Sequence, residues 1–421
     1  MQISVIGAGY VGCVTGICLA EIGHNVILVD RDSKKLETIL SGKSPVFESG
    51  LDNLLIKNHQ RIRTTGNIQK AVCETELTII CVGTPQKEDG STDLQFVKDV
   101  AVSIGKAMKS DNHFRTIIIK STVLPGTTEN IIIPILERES GKRAGEDFDI
   151  GMNPEFLKEG CAVEDFFHTD RIVVGAQNQK TRTVSDELYK PLKAPLFYTS
   201  IKTAEMIKYV SNAFLATKIS FANEIGNMCK AAGIDTDEVF RGVGMDTRIS
   251  PHFFRSGIGF GGSCFPKDVN ALIHFAELLG VDPKLLRATI TTNDTQPLKM
   301  ITLLKKHLDI KGKKIGILGL AFKPGTDDIR ESRAFPIIRQ LLQEGAEVLA
   351  YDPLAMASFS AIIPGIQYIC SAQDVVNTGI VLIVTEWEEF EHLDYHGTLV
   401  IDGRRIRKAQ KEAVIYEGIC W

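Results

Sequence analysis

Two stretches of this chain repeat one pattern of strand, glycine turn, helix and acid-tipped strand, and this repeat constrains the fold more than any other feature. Ile3-Ser4-Val5-Ile6-Gly7 is echoed by Ile315-Gly316-Ile317-Leu318-Gly319, and the strand ending at Asp30 by the strand ending at Asp352. Gly7 lies 23 residues before Asp30 and Gly319 lies 33 before Asp352, so the second copy carries ten more residues. They fall in Lys323–Ser332, the turn where a phosphate would sit.

Gln2–Ile6, Asn25–Val29, Leu77–Val82 and Thr116–Lys120 read as strands, and Tyr10–Ile22 as a helix. Continuously apolar strands alternating with helices indicate a parallel sheet buried on both faces. Ile201–Ala232 contains no Pro and closes on Gly233, which predicts one amphipathic helix of roughly 25–30 residues, suited to a domain crossing or a dimer seam. A further helix is expected at about Pro266–Leu279. The predicted fold class is α/β: two Rossmann-like doubly wound parallel-sheet domains joined by a long central helix and a helical middle domain. The expected domains are 1–199, 200–308 and 309–421.

Composition narrows the partners. Lys plus Arg number 48 against 52 Asp plus Glu, a net charge of -4, so nothing general favours nucleic acid or an anionic membrane. The basic run Arg404–Lys411 is short and lacks interleaved aromatics. The N-terminus does not read as a secretory signal, and the apolar runs are shorter than the roughly 20 residues a membrane span needs. Nine scattered cysteines with no CxxC pair fit a reducing cytoplasm. His392 and His396 lack a third ligand, so no metal site is indicated.

Four groups of residues point to chemistry. Gly7-Ala8-Gly9-Tyr10-Val11-Gly12 opens a helix straight after a strand: Gly7 permits the turn, Gly9 lets backbone approach a pyrophosphate, and Gly12 lets helix and strand pack closely. Asp30 ends the next strand at the distance needed to accept from a ribose 2′-OH, which favours NAD over NADP. In Gly259–Asp268 (GFGGSCFPKD), Pro266 suits a first helical turn and places Cys264 at the helix N-terminus. The helix dipole and Lys267 there would favour a thiolate, though most cysteines are inert small hydrophobes. Lys208 and Asn212 share one helix face and could donate to an oxyanion, against the plain alternative of a solvated face. Glu155, in Asn153–Gly160 (NPEFLKEG), and Ser121-Thr122 stand at strand ends, where α/β sheets bind ligands.

Together with VGTP at Val82–Pro85, STVLPGT at Ser121–Thr127, Glu205–Glu224, Leu318–Ser332 and IDGRR at Ile401–Arg405, these strings resemble the UDP-glucose/GDP-mannose dehydrogenase family along the whole chain. Cys161–Asp165 and Phe265 look like its UDP-glucose branch, with GDP-mannose or another nucleotide sugar as the alternative and a non-catalytic nucleotide-sugar sensor as the remoter one. The resemblance implies oxidation of a nucleotide sugar at C6 to a carboxylate, here UDP-glucose to UDP-glucuronate, with two NAD per turnover. Cys264 would form a thiohemiacetal and then a thioester. Lys208 and Asn212 would stabilise oxyanions, and Asp268, Glu155 and Thr122 would orient water and move protons.

The resemblance also implies NAD contacts from Asp30, Lys35, Thr84, Thr122, Glu159, Lys267 and Arg330. The sugar nucleotide would meet Phe156, Leu157, Lys158 and Glu159, with Phe253, Gly257, Phe260, Gly261 and Phe322. Lys323 and Arg405 would take its diphosphate. Arg248 would reach the partner's site in a homodimer built on the long helix. The family commonly has Arg-Ile-Gly where this chain reads Arg248-Ile249-Ser250. If that turn needs φ > 0, Ser250 costs about 1 kcal/mol.

Overall fold

In the computed structural model, which describes residues 1–111 and 113–421, the apolar runs form two separate sheets. Contacts group the chain into two units, Met1–Ser211 and Asn212–Trp421. The first holds β1 (Gln2–Ile6), β2 (Asn25–Val29), β3 (Ile62–Thr65), β4 (Leu77–Ile80), β5 (Arg115–Ile119), β6 (Phe148–Met152), β7 (Ile172–Ala176) and β8 (Leu196–Thr199), in the order β3-β2-β1-β4-β5-β6-β7-β8. β4, β5, β6 and β7 are buried along their whole length, as strands covered on both faces must be.

One pairing departs from the expected all-parallel sheet: β7 runs antiparallel to β6. Their connection stays at the carboxyl end of the sheet, where the Asn153 amide donates to the Val173 carbonyl at 2.8 Å, so β7 starts there and runs back.

The second unit holds β9 (Lys314–Leu318), β10 (Glu347–Tyr351), β11 (Gln367–Tyr368), β12 (Ile380–Ile383), β13 (Leu399–Asp402) and β14 (Ile415–Gly418), all parallel, in the order β11-β10-β9-β12-β13-β14. Both sheets reverse strand order beside their first strand, between β1 and β4 and between β9 and β12. Ligands of open α/β sheets bind outside the carboxyl ends at that point.

The long helix spans Ile201–Ala232, 32 residues and slightly longer than predicted. The boundary between the units falls within it. From Asn212 onward, the helical stretch expected at 200–308 groups with the second sheet. Among the described residues, no helix is long and apolar enough to cross a membrane.

Candidate active site

The glycines after β1 divide their work as the spacing implies. A Cβ on Gly12 would lie 1.7 Å from the Gly7 carbonyl oxygen, and Gly7, at φ 103°, sits against the Cys81 backbone. Gly9 differs: it caps the helix Tyr10–Glu21 with no side-chain hydrogen bond, and none of the described residues lies within 4 Å of a Cβ built on it. The helix N-terminus therefore faces a cradle that a side chain would fill, which fits a dinucleotide pyrophosphate. Asp30 stands beside it, with Oδ2 accepting from the Ala8 N–H at 2.8 Å and lying 3.6 Å from the Lys35 ammonium. The Thr84 hydroxyl donates to the Thr122 carbonyl at 2.8 Å, joining the segments that follow β4 and β5.

The repeat keeps the acid and changes its use. Asp352 is fully buried, accepts from the N–H groups of Leu320, Ala321, Leu354 and Ala355, and also takes the Trp387 indole N–H at 3.0 Å. Its oxygens are committed to the fold, whereas Asp30 accepts from only two backbone N–H groups, those of Ala8 and Asp32, and its side chain stays 11% exposed.

In the first unit Glu155 and Lys208 form a buried ion pair, Oε1 to Nζ 2.8 Å. The other carboxylate oxygen accepts from the Leu157 N–H at 2.6 Å, which shapes the loop 155–160. Burial alone would push the Glu155 carboxyl up, but the charges of Lys208 and Lys120 and the hydrogen bonds it accepts hold it below its ordinary range. Phe156 lies under two cations, 4.2 Å from the Arg171 guanidinium and 5.5 Å from the Lys208 ammonium. Lys158 pairs with Asp165 at 3.0 Å.

In the second unit Cys264 is the N-cap of the helix Phe265–Leu278, with Pro266 in its first turn, as predicted. One turn on, Asp268 is buried between the Lys267 ammonium, in a short contact, and the Asn212 amide, which donates to Oδ2 at 2.6 Å. Lys208 and Asn212 stand one turn apart on the long helix.

The ten-residue insertion braces the cysteine loop. The Gly262 N–H donates to the Arg330 carbonyl at 2.8 Å, and a Cβ on Gly261 would lie 2.3 Å from the Glu331 carbonyl oxygen. Gly262, at φ 82°, packs against the Phe322 ring. From the other side, the Asn293 side chain accepts from the Phe260 N–H and Asn223 accepts from the Gly257 N–H, both at 2.7 Å. Phe253, Phe260, Gly257, Gly261, Phe322 and Arg330 thus stand on elements around one cysteine loop, with the Phe253 ring tilted 58° to that of Phe265 at 6.4 Å between centroids.

Two predicted arginines have protein partners. Arg248 is exposed and bidentate on Asp246, and Ser250, two residues on, has φ 69°. The turn therefore does need a left-handed residue. Arg405 bonds through Nη1 to Asp237 at 2.5 Å and Asp235 at 3.5 Å and stacks on Trp421 at 4.6 Å, while its buried Nε and Nη2 find no acceptor among the described residues. Lys323 lies 5.5 Å from the Phe322 ring centroid. His396 pairs with Asp394 and Glu412 on the surface, at 2.6 and 3.8 Å.

Two contributors escaped the sequence reading. Lys120 is buried, donates to Asn153 Oδ1 at 3.0 Å and adds its charge to Glu155. A charged residue closing an otherwise apolar strand end was the available signal. Glu48 accepts from the Gly160 and Ala162 N–H groups at 2.8 Å and contacts the Tyr10 hydroxyl closely. It ties the loop carrying Glu159 to the first glycine turn across more than 100 residues, and no local pattern announces such a tie.

Comparison with known proteins places these features in one family. Models of the UDP-glucose/GDP-mannose dehydrogenase family match residues 1–193 (NAD binding domain), 202–295 (central domain) and 316–409 (UDP binding domain). The chain is 44% identical to the UDP-glucose 6-dehydrogenase AglM of Haloferax volcanii, covering 100% of both. It is 42% identical to the GDP-mannose 6-dehydrogenase of Pseudomonas aeruginosa over 84% of this chain and 81% of that one. The solved structure of a UDP-glucose dehydrogenase from Pyrobaculum islandicum superposes with a TM-score of 0.96 at 42% identity, covering 100% of this chain and 97% of that one.

Proposed function

Because this chain belongs to the UDP-glucose/GDP-mannose dehydrogenase family and carries its NAD-binding domain, we propose that it oxidises UDP-glucose at C6 to UDP-glucuronate in two steps. The observation that carries this reading is Cys264 at a helix N-terminus, in a glycine loop braced on both sides, with buried Asp268 one turn away. NAD, when bound, takes one hydride from C6 in each step. Gly7, Gly9 and Gly12 would cradle its pyrophosphate, Asp30 and Lys35 would meet the adenosine ribose, and Thr84, Thr122, Glu159, Lys267 and Arg330 would line the rest.

Loss of the first hydride and the hydroxyl proton leaves an aldehyde, which has no second hydride to give until a nucleophile adds. The Cys264 sulfur bonds to that carbon, giving a thiohemiacetal whose C–H carries the second hydride. The resulting thioester is cleaved by water, which frees the thiol and leaves the carboxylate. Lys208 and Asn212 donate to the C6 oxygen wherever it bears charge. Glu155, kept ionised, and Asp268 orient water and move protons with Thr122.

The diphosphate would be taken by Lys323 and by Arg405, whose Nε and Nη2 lack an acceptor among the described residues. Phe156–Glu159, Phe253, Gly257, Phe260, Gly261 and Phe322 would enclose sugar and base. UDP-glucose is favoured by relatives of that name matching from end to end. The GDP-mannose enzymes support the second reading; that of Pseudomonas putida also covers 100% of this chain, at the lower identity of 38%. Initial rates of NADH formation on UDP-glucose and GDP-mannose decide between them: the account requires UDP-glucose to be preferred by at least about 100-fold in kcat/KM.

We further infer a cytoplasmic homodimer with three functional regions, 1–199, 200–308 and 309–421. Phe214, Phe221 and Met228 are more than half exposed at seven-residue spacing on the long helix, an apolar seam suited to a second copy. Arg248 would reach across it. Light scattering on Phe221→Glu should show monomers where the wild type shows dimers.

A further inference from the structure

Asp30 is flanked by two cations. Its Oδ2 lies 3.6 Å from the Lys35 ammonium, and the next residue, Arg31, lays its exposed guanidinium 4.8 Å above the Phe96 ring centroid. Phe96 stands in the first turn of the helix Gln95–Lys109, which follows β4. The Arg31–Phe96 stack therefore bridges the segments leaving β2 and β4, the strands on either side of β1 and of the glycine cradle. The second carboxylate nearby, Asp32, is engaged by its Oδ1 in capping the Lys34 N–H at 3.0 Å.

At this place in a dinucleotide-binding sheet a carboxylate reads the ribose 2′-OH, and an arginine accommodates a 2′-phosphate. This chain has both, side by side. We propose that Arg31 and Lys35 form a latent subsite for a 2′-phosphate, so that the Asp30 carboxylate alone holds the protein to NAD against NADP.

The planar guanidinium matches a phosphate with two parallel donors, and the Phe96 face holds its plane. Asp30 neutralises one of the two cations and repels a dianion brought to the same place. Neutralising Asp30 leaves both cations in place with no new residue required. The subsite depends only on the dinucleotide cradle and stands whichever sugar is oxidised.

Titration calorimetry with adenosine 2′,5′-bisphosphate and 5′-AMP tests this without turnover. The wild type is expected to prefer 5′-AMP. Asp30→Asn should reverse the preference, shifting the affinity ratio by roughly 10- to 100-fold. Adding Arg31→Ala should take back most of that gain, and raised salt should shrink it. Asn offers the Ala8 and Asp32 N–H groups only one oxygen, so Asp30→Ser serves as a second variant, both being checked for native circular dichroism. Folded Asp30 variants that still prefer 5′-AMP, or a gain untouched by Arg31→Ala, would overturn the proposal.

Discussion

The Glu155 carboxylate meets the Lys208 ammonium at 2.8 Å with the two side chains only 7% and 4% exposed. A pair so buried is costly to break by removing one member, because the other remains as an uncompensated charge. Lys208→Ala should lower stability by about 3 kcal/mol in urea unfolding, while Glu155→Gln combined with Lys208→Met should recover much of it.

The pH dependence follows from the same pair. The folded Glu155 carboxyl lies below its ordinary 4.5, so the unfolded chain takes up the proton first as pH falls. The stability it contributes is complete at neutral pH, starts to go below about 4.5 and is gone below the folded value. Without Lys208, burial dominates and the carboxyl rises. The stability gap between wild type and Lys208→Ala should therefore narrow from pH 7 to pH 4; a constant gap would contradict the pairing.

Asp402, in the Ile401–Arg405 turn, has the opposite sign. Burial pushes its carboxyl up to about 6 from 3.8, although it accepts from the N–H groups of Arg404, Arg405 and Ile406. The folded state here holds its proton more tightly than the unfolded one. That contribution is present below about pH 4 and is lost as pH rises through 6, amounting to at most about 3 kcal/mol. Asp402→Asn should remove this slope between pH 4 and 6, read from urea midpoints.

Ser250 sits at φ 69° in the turn after Arg248, a region that penalises any side chain. Ser250→Gly should stabilise by about 0.5–1 kcal/mol, raising Tm by roughly 1–3 °C. An unchanged or lower Tm would mean that the serine has a compensating contact.

Gly261 leaves no room for a Cβ, which would lie 2.3 Å from backbone at Glu331. Gly261→Ala should displace the cysteine loop from the insertion and lower kcat at least about 100-fold, with the far-ultraviolet spectrum retained.

Much of this was legible in the sequence because it is local. β1 and β2 fall where the apolar runs ended, the cysteine caps the helix that Pro266 announced, and Gly7 and Gly12 leave no room for a Cβ in the turn, as their spacing implied. What escaped depends on distant partners. Asp352 looks like Asp30 in its own strand, and only Trp387 and four N–H groups show it committed to structure. Likewise, β7 reverses because of where its connection runs, and Arg405 meets Asp235 and Asp237, nearly 170 residues away.

The oxidation proposed for Cys264 removes four electrons by way of a thioester. Its most direct test is NADH formed per UDP-glucose consumed, with sugar limiting and NAD in excess, for the wild type and for Cys264→Ser. The wild type should form two NADH per sugar, and the variant should release no free glucuronate product at the wild-type rate. One NADH per sugar in the wild type, or a variant that completes the oxidation as fast, would contradict it.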